Sequence, residues 1–241
     1  MLRVLVLAAI LFPQVALAAL CRDTEFEGVS MTVCETTLAD DLRLFHSTAE
    51  GVLGSFSAVN ESLATKGQTL GFAMNAGMYH PDRAPVGLYI QDGRETGRIV
   101  TSAGPGNFGM LPNGVFCLAD RFLVLESRAF AKQPLPCRQA TQSGPMLVIK
   151  GKLHPRFLAD SDSTYIRNGV GVTKDGSRAF FAISNERVNF HRFARFFRDA
   201  LGASDALYFD GKISRLYAPD LGRHDAGFPM GPIVGTVVPK G

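Results

Sequence analysis

Four times along this 241-residue chain, a short apolar run ends abruptly in a knot of polar residues and glycine. The four are Phe72-Ala73-Met74-Asn75-Ala76-Gly77-Met78-Tyr79, Gln142-Ser143-Gly144-Pro145-Met146-Leu147-Val148, Ile166-Arg167-Asn168-Gly169-Val170-Gly171-Val172 and Ala206-Leu207-Tyr208-Phe209-Asp210-Gly211. Apolar runs of this length bounded by Gly or Pro read as buried strands, and glycine beside Asn, Ser, Arg or Asp permits tight turns and close approach of a ligand. Any one knot alone is an ordinary turn former. A sheet that gathers all four strand ends would build one polar pocket, and the recurrence predicts such a pocket.

The remaining patterns are mostly those of strands. Met31–Cys34 and Leu42–Phe45 alternate like half-buried strands, and residues 57–66 carry a helical pattern stopped by Gly67. A hairpin is predicted from Val86 through the Asp92-Gly93 turn to Val100, and a second from Gly114–Leu118 paired with Phe122–Leu125. Near the C-terminus Phe190, Phe193, Ala194, Phe197 and Leu201 recur at spacings of three and four, with Asn189 at the N-cap and Gly202 at C′. That spacing predicts one helix leading into the strand that ends at Asp210, with Arg192, Arg195 and Arg198 on its far face. No linker or internal repeat divides the chain. These patterns, with 46% hydrophobic residues, predict a single-domain α+β protein, with a mixed, largely antiparallel sheet and a few packed helices.

The first residues, Met1-Leu2-Arg3 followed by an uncharged apolar run and Ala16-Leu17-Ala18, have the layout of a cleavable secretory signal. Residues 1–18 are read as that signal and 19–241 as the mature domain, periplasmic or secreted, without a transmembrane segment after cleavage. Leu20 before Cys21 does not suit a lipoprotein cleavage site. Four cysteines fall as two near pairs, Cys21 with Cys34 and Cys117 with Cys137. Of the three possible connectivities, the simplest in an oxidising compartment joins each near pair. A net charge of +3 with scattered basic residues does not form a nucleic-acid footprint. No C-x-x-C and no helical His/Asp/Glu spacing occurs, so neither a metal nor another cofactor is expected.

The polar knots resemble, in order, the marks of the phosphodiester glycosidase family, of the uncovering-enzyme-like kind, and especially its branch of small exported bacterial proteins. These marks appear as Asn75-Ala76-Gly77-Met78-Tyr79, Ser143-Gly144-Pro145, Arg167-Asn168-Gly169-Val170-Gly171-Val172 and Asp210-Gly211-Lys212-Ile213-Ser214, with Pro85–Tyr89 and Pro112–Phe116 fitting the bacterial branch. The resemblance covers residues 72–217. Where the family pattern has Asp-Gly-Gly-Gly-Ser, this chain replaces two glycines by Lys212 and Ile213.

The resemblance implies hydrolysis of a glycosyl-1-phosphodiester in an envelope or extracellular glycan. Such a bond breaks through an oxocarbenium-like transition state assisted by carboxylates. A phosphate leaving group departs as a stabilised anion, so one carboxylate with good anion contacts suffices. Asp210 is the first catalytic candidate and Glu186, at the end of Ala182–Asn185, the second. Arg167 offers a guanidinium fork for phosphate. Asn75, Gly77, Tyr79, Asn113, Ser143, Gly144, Asn168, Gly211, Lys212 and Ser214 complete the expected substrate contacts. The alternative is a non-catalytic glycan-binding or polymer-assembly factor of the envelope on the same fold. A third reading, Ser143 as an esterase nucleophile, lacks the Gly-x-Ser-x-Gly context and would need a histidine beside it.

Overall fold

The computed structural model describes residues 20–241, so the expected signal over residues 1–18 lies outside the described residues. Three sheets carry the fold. The seven-stranded first sheet runs, in spatial order, Leu20–Phe26, Val29–Thr37, Arg178–Ser184, Asn168–Val172, Asp205–Asp210, Met146–Ile149, Lys152–Leu153. The five-stranded second sheet runs Phe122–Glu126, Gly114–Leu118, Gln139–Ser143, Tyr89–Gln91, Arg94–Gly97. The third, also five-stranded, runs Arg223–His224, Leu216–Ala218, Gln68–Asn75, Ile233–Pro239, Asp41–Phe45.

Every pairing in these sheets is antiparallel, which corrects the expectation of a mixed sheet. A parallel pair needs a long crossover, usually helical, between neighbours. Here neighbouring strands join by hairpins or return from another sheet. The chain is α+β and rich in sheet, as its alternating patterns imply. Both predicted hairpins form, one turning at Asp92 and Gly93, both with positive φ.

Alternation sorts the side chains into two layers. Along Asp205–Asp210, Leu207 and Phe209 face the central core where the three sheets meet, together with Phe72, Met74, Phe116 and Phe181. Ala206 and Tyr208 face the opposite way, into a cluster built with helical Phe193, Phe196 and Phe197. The same parity holds on Arg178–Ser184, where Phe181 and Ile183 join the central core and Phe180 and Ala182 the helix-side cluster. A strand buried on both faces reads as an unbroken apolar run. For that reason the polar residue that ends such a run stands out in the sequence.

Helix α1 (Phe56–Ala64) is capped by Ser55 and covers the outer face of the third sheet, and Gly67 follows it with φ +65°. Helix α2 (Ser127–Lys132) covers the second sheet through Phe130. Helix α3 (Phe190–Arg195) begins as expected at Asn189, whose Oδ1 accepts from the amide of Arg192. It does not continue as an α-helix to Leu201. Residues Phe196–Ala200 form a π-turn, in which the Leu201 amide donates to the Phe196 carbonyl. The wider turn lets the consecutive residues Phe196 and Phe197 both bury, where a 3.6-residue period would turn Phe196 partly outward. The arginines on this helix form a surface ion-pair cluster, Arg195 with Glu27 at 2.6 Å and Arg198 with Asp199 at 2.6 Å.

The two near cysteine pairs are both bonded, Cys21 to Cys34 and Cys117 to Cys137. Closing loops of 13 and 20 residues restricts the unfolded chain. Each closure is worth about 3 kcal/mol by chain entropy. No helix among the described residues is long and apolar enough to cross a membrane.

Asn189 does more than cap α3, since its Nδ2 also donates to the carbonyls of Ala159 and Ser161. Asn189→Ala is expected to cost about 1–2 kcal/mol in urea unfolding, and Asn189→Asp, which keeps the cap oxygen, to recover part of it.

Candidate active site

The four strand ends do converge, but three sheets supply them rather than one. Gln68–Asn75 comes from the third sheet, Gln139–Ser143 from the second, and Asn168–Val172 and Asp205–Asp210 from the first. Buried side-chain amides and hydroxyls tie these ends together. The Asn168 Nδ2 donates to Asn75 Oδ1 at 2.9 Å, and Asn75 Nδ2 donates back to Asn168 Oδ1 at 3.2 Å. Asn75 Oδ1 also accepts the Arg215 amide at 2.9 Å, and Asn168 Oδ1 the Asp210 amide at 3.2 Å. Ser143 donates its hydroxyl proton to the Phe209 carbonyl at 2.9 Å, and Thr141 donates to the Ala76 carbonyl at 2.8 Å. Asn75, Asn168 and Ser143 are wholly buried, so their polar groups serve the junction, not an open surface. Among the described residues Ser143 has no histidine partner, its hydroxyl being given to the Phe209 carbonyl, and the esterase reading falls with it.

Asp210 stands at the edge of this junction. A register irregularity between Asn168 and Gly169 pairs Asn168 with Asp210 and Gly169 with Tyr208, so Phe209 is the extra residue of a bulge. Bulges re-aim the side chains beside them. The carboxylate is half-buried in a cleft of ≈ 390 Å³ that it shares with Met78, Asn107, Tyr165, Tyr208 and Lys212. Its Oδ1 accepts the Lys212 amide at 2.8 Å. Burial pushes its pKa upward, while the amides of Lys212, Gly211 and Ile213 and the Lys212 charge pull it back. The Ser214 hydroxyl donates to the Asp210 carbonyl at 2.7 Å and closes the turn. The two lost glycines are thus accommodated. Lys212 contributes its backbone amide while its side chain is exposed, and Ile213 packs on the third-sheet cluster.

Arg167 is fully buried and does not line the cleft itself, but it contacts Ser163, Tyr165 and Tyr208, which do. Its guanidinium sits 3.6 Å above the centre of the Phe190 ring, and Nε and Nη2 donate to the Val188 and Ser163 carbonyls, each at 2.8 Å. Phe190 stacks in turn on Phe157 at 4.9 Å, and Phe157 on His154 at 4.7 Å. The ring contact is worth about 2 kcal/mol for a desolvated cation. Neither Asp160 nor Asp162 pairs with Arg167, which has no carboxylate partner among the described residues, and its Nη1 has no hydrogen-bond partner. Burial lowers its pKa and the neighbouring Tyr208 and Tyr165 partly restore it. A guanidinium nonetheless stays protonated. A buried cation without a counter-ion, beside a cleft that holds one carboxylate, suits an anionic ligand.

Other expected residues lie elsewhere or act indirectly. Glu186 is exposed and accepts the Ser30 amide at 3.1 Å, outside the cleft, so it does not provide a second carboxylate there. Asn113 is buried, and donates to the Phe108 carbonyl at 3.1 Å. Gly144 packs against it so closely that a Cβ would lie 2.6 Å from that of Asn113. Gly77, with φ +145°, turns the chain against Thr141. Tyr79 lies by Asp210, whose charge adds to burial in raising the phenol pKa. Residues missed in the sequence include Tyr208 and Asn107 in the cleft and the buried Arg215, whose Nη1 donates to the Phe228 carbonyl at 2.5 Å. Tyr208 looked like one more apolar strand residue; Arg215 directly follows the last residue of the Asp-Gly segment. A larger hollow of ≈ 500 Å³ around Lys174 and Asp175 is shallow and lined by exposed or half-exposed turn residues.

Two outcomes follow for stability. Asn168→Leu removes the central amide and strands Asn75, costing about 3 kcal/mol in a denaturant titration. Asp210→Asn acts oppositely. A carboxyl raised in the folded state contributes stability below its unfolded pKa, and that contribution is lost as pH rises through the folded value. The variant is therefore more stable than the parent at neutral pH, and the difference closes below about pH 4. Thermal melts across pH measure it.

Residues 68–225 match the family described as phosphodiester glycosidase. The uncharacterized protein YigE of Escherichia coli (strain K12) is 35% identical over 216 residues, covering 88% of this chain and 83% of that protein. The catalytic domain of zebrafish N-acetylglucosamine-1-phosphodiester alpha-N-acetylglucosaminidase, solved in a form auto-inhibited by its pro-peptide, superposes with a TM-score of 0.62 at 15% identity. That superposition covers 90% of this chain and 81% of the zebrafish domain, and shows a shared fold. With its matched segment spanning all four polar knots and the strands that carry them, the chain belongs to the phosphodiester glycosidase family.

Proposed function

We propose that this protein hydrolyses a glycosyl-1-phosphodiester, with Asp210 acting at the anomeric carbon and Arg167 holding the phosphate. The observation that carries the reading is one half-buried carboxylate in a cleft whose wall residues Ser163, Tyr165 and Tyr208 contact a buried guanidinium that has no carboxylate partner among the described residues. Asp210 is ionised above its raised pKa and then attacks the anomeric carbon, activates water, or stabilises the oxocarbenium-like transition state. The Lys212 amide fixes the carboxylate so that it meets the sugar in one orientation. Negative charge develops on the departing phosphate. A preorganised cation in a poorly solvated site stabilises that charge without reorganising. Among the described residues no second carboxylate lines the cleft, and the phosphate leaves as a stabilised anion without being protonated.

The mature protein spans residues 19–241 and works outside the cytoplasm, in the envelope or beyond it. Two disulfides and the signal-like residues 1–18 support that placement. The substrate is a glycan or sugar phosphodiester.

A panel of glycosyl-1-phosphodiesters, including N-acetylglucosamine-1-phospho compounds, tests the activity by release of free sugar. Turnover is expected from the mature protein, and a fall of about 10³-fold or more in Asp210→Asn that still melts cooperatively. Saturable binding by both proteins with no turnover on any compound would instead favour a glycan-binding factor. The acidic limb of kcat/KM should fall with decreasing pH through a value above the ordinary aspartate pKa of about 4, since protonation removes the active form.

A further inference from the structure

Three buried side-chain polar atoms among the described residues lack a hydrogen-bond partner: Asn113 Oδ1, Arg167 Nη1 and Tyr208 Oη. Buried polar groups are nearly always satisfied. Two of these three belong to side chains at one place. The Arg167 guanidinium lies 5.4 Å from the Tyr208 ring centre, and the Arg167 and Asn107 side chains both lie against the phenol oxygen without reaching full hydrogen-bond geometry. Tyr208 precedes Asp210 by two residues on one strand and borders the same cleft.

The hydroxyl is held in place from several sides. Phe190 meets the Tyr208 ring edge-on at 4.8 Å, and the residue is fully buried. On the cleft side, a Cβ at position 211 would lie only 2.0 Å from Tyr208 Oη. Glycine at that position therefore leaves room for this hydroxyl, a local reason for the Asp-Gly dipeptide beyond turn formation. A phenylalanine at 208 would keep every ring contact, so packing alone does not account for the tyrosine, whose buried oxygen lies against the Arg167 cation without a well-formed hydrogen bond. Burial also pushes the phenol pKa far above its ordinary value, so the group stays a hydrogen-bond donor at any physiological pH.

We propose that Tyr208 Oη and Arg167 Nη1 form a two-donor cradle for the non-bridging oxygens of the substrate phosphate, making Tyr208 a substrate-contacting residue that selects an anionic diester over an uncharged glycoside. This rests on the phosphodiester reading above. Arg167 supplies charge and Tyr208 a neutral donor, and the two different directions fix the phosphate against rotation. Asp210, on the same strand, then faces the sugar side of the bond.

The test compares the mature protein with Tyr208→Phe and Gly211→Ala, using calorimetric titration with inorganic phosphate and kinetics on a turned-over diester. Tyr208→Phe should melt at or above the parent temperature. It should also lose about tenfold or more in phosphate affinity and in kcat/KM, because a hydrogen bond to a charged group is removed. Gly211→Ala displaces the same hydroxyl without deleting it, and should weaken phosphate binding in the same direction. If the parent binds phosphate and cleaves diesters while Tyr208→Phe matches it in both, the role of the hydroxyl is overturned and the phosphodiester reading stands. If the parent neither binds phosphate at millimolar concentration nor cleaves any diester, the cradle and that reading fall together.

Discussion

The reciprocal amide pair between Asn75 and Asn168 is the contact on which the rest of the site depends. It lies wholly buried between the end of one sheet and the start of a strand in another. Each asparagine also reaches a backbone amide of the segment that follows the catalytic candidate or contains it, Arg215 from Asn75 and Asp210 from Asn168. In a low-dielectric interior such bonds are strong when complete and costly when half-made. The pair therefore fixes the third sheet, the first sheet and the Asp210 turn relative to one another. With Ser143 bonded to the Phe209 carbonyl, the second sheet joins the same junction. Without it, the Asp210 turn would lose the side-chain bonds that join it to the third sheet.

That dependence explains what was readable in the sequence and what was not. The strand runs, the Asn189 cap, the two hairpins and the cysteine pairing follow from local periodicity and short spacing, and they are present. The polar knots were also visible as a set. Their roles were harder to read, because a buried Asn that locks two sheets and a Asn that holds a sugar present the same letters. Asn75, Asn168 and Ser143 turn inward to the protein, and only tertiary pairing decides that. Glu186 ends an apolar run as Asp210 does, yet its carboxylate is exposed and accepts the Ser30 amide of the neighbouring strand instead of lining the cleft. Tyr208 was hidden because an aromatic in an apolar strand is core in most settings, and only the unpartnered hydroxyl distinguishes it. The strand Ile233–Pro239, which pairs centrally in the third sheet, has a β-branched run whose signal was readable but lay beyond the polar knots.

Charge sets the chemistry. A buried guanidinium is expensive unless something offsets its lost hydration. Arg167 meets that cost with a ring face at 3.6 Å and two carbonyls, not with a carboxylate. The aromatic column of Phe190, Phe157 and His154 backs this cation. Asp210 is treated differently: half-buried and supported by backbone amides, it keeps a carboxylate that can still reach a ligand. The departure at Lys212 and Ile213 alters the outer lip of this site and leaves the amide contact to Asp210 in place.

The most direct measurement is a crystal structure of Asp210→Asn bound to a glycosyl-1-phosphodiester. The account predicts the phosphate within hydrogen-bonding distance of the Arg167 guanidinium and the anomeric carbon facing residue 210. A ligand whose phosphate lies in solvent or against Lys212 alone, with Arg167 uncontacted, would contradict it.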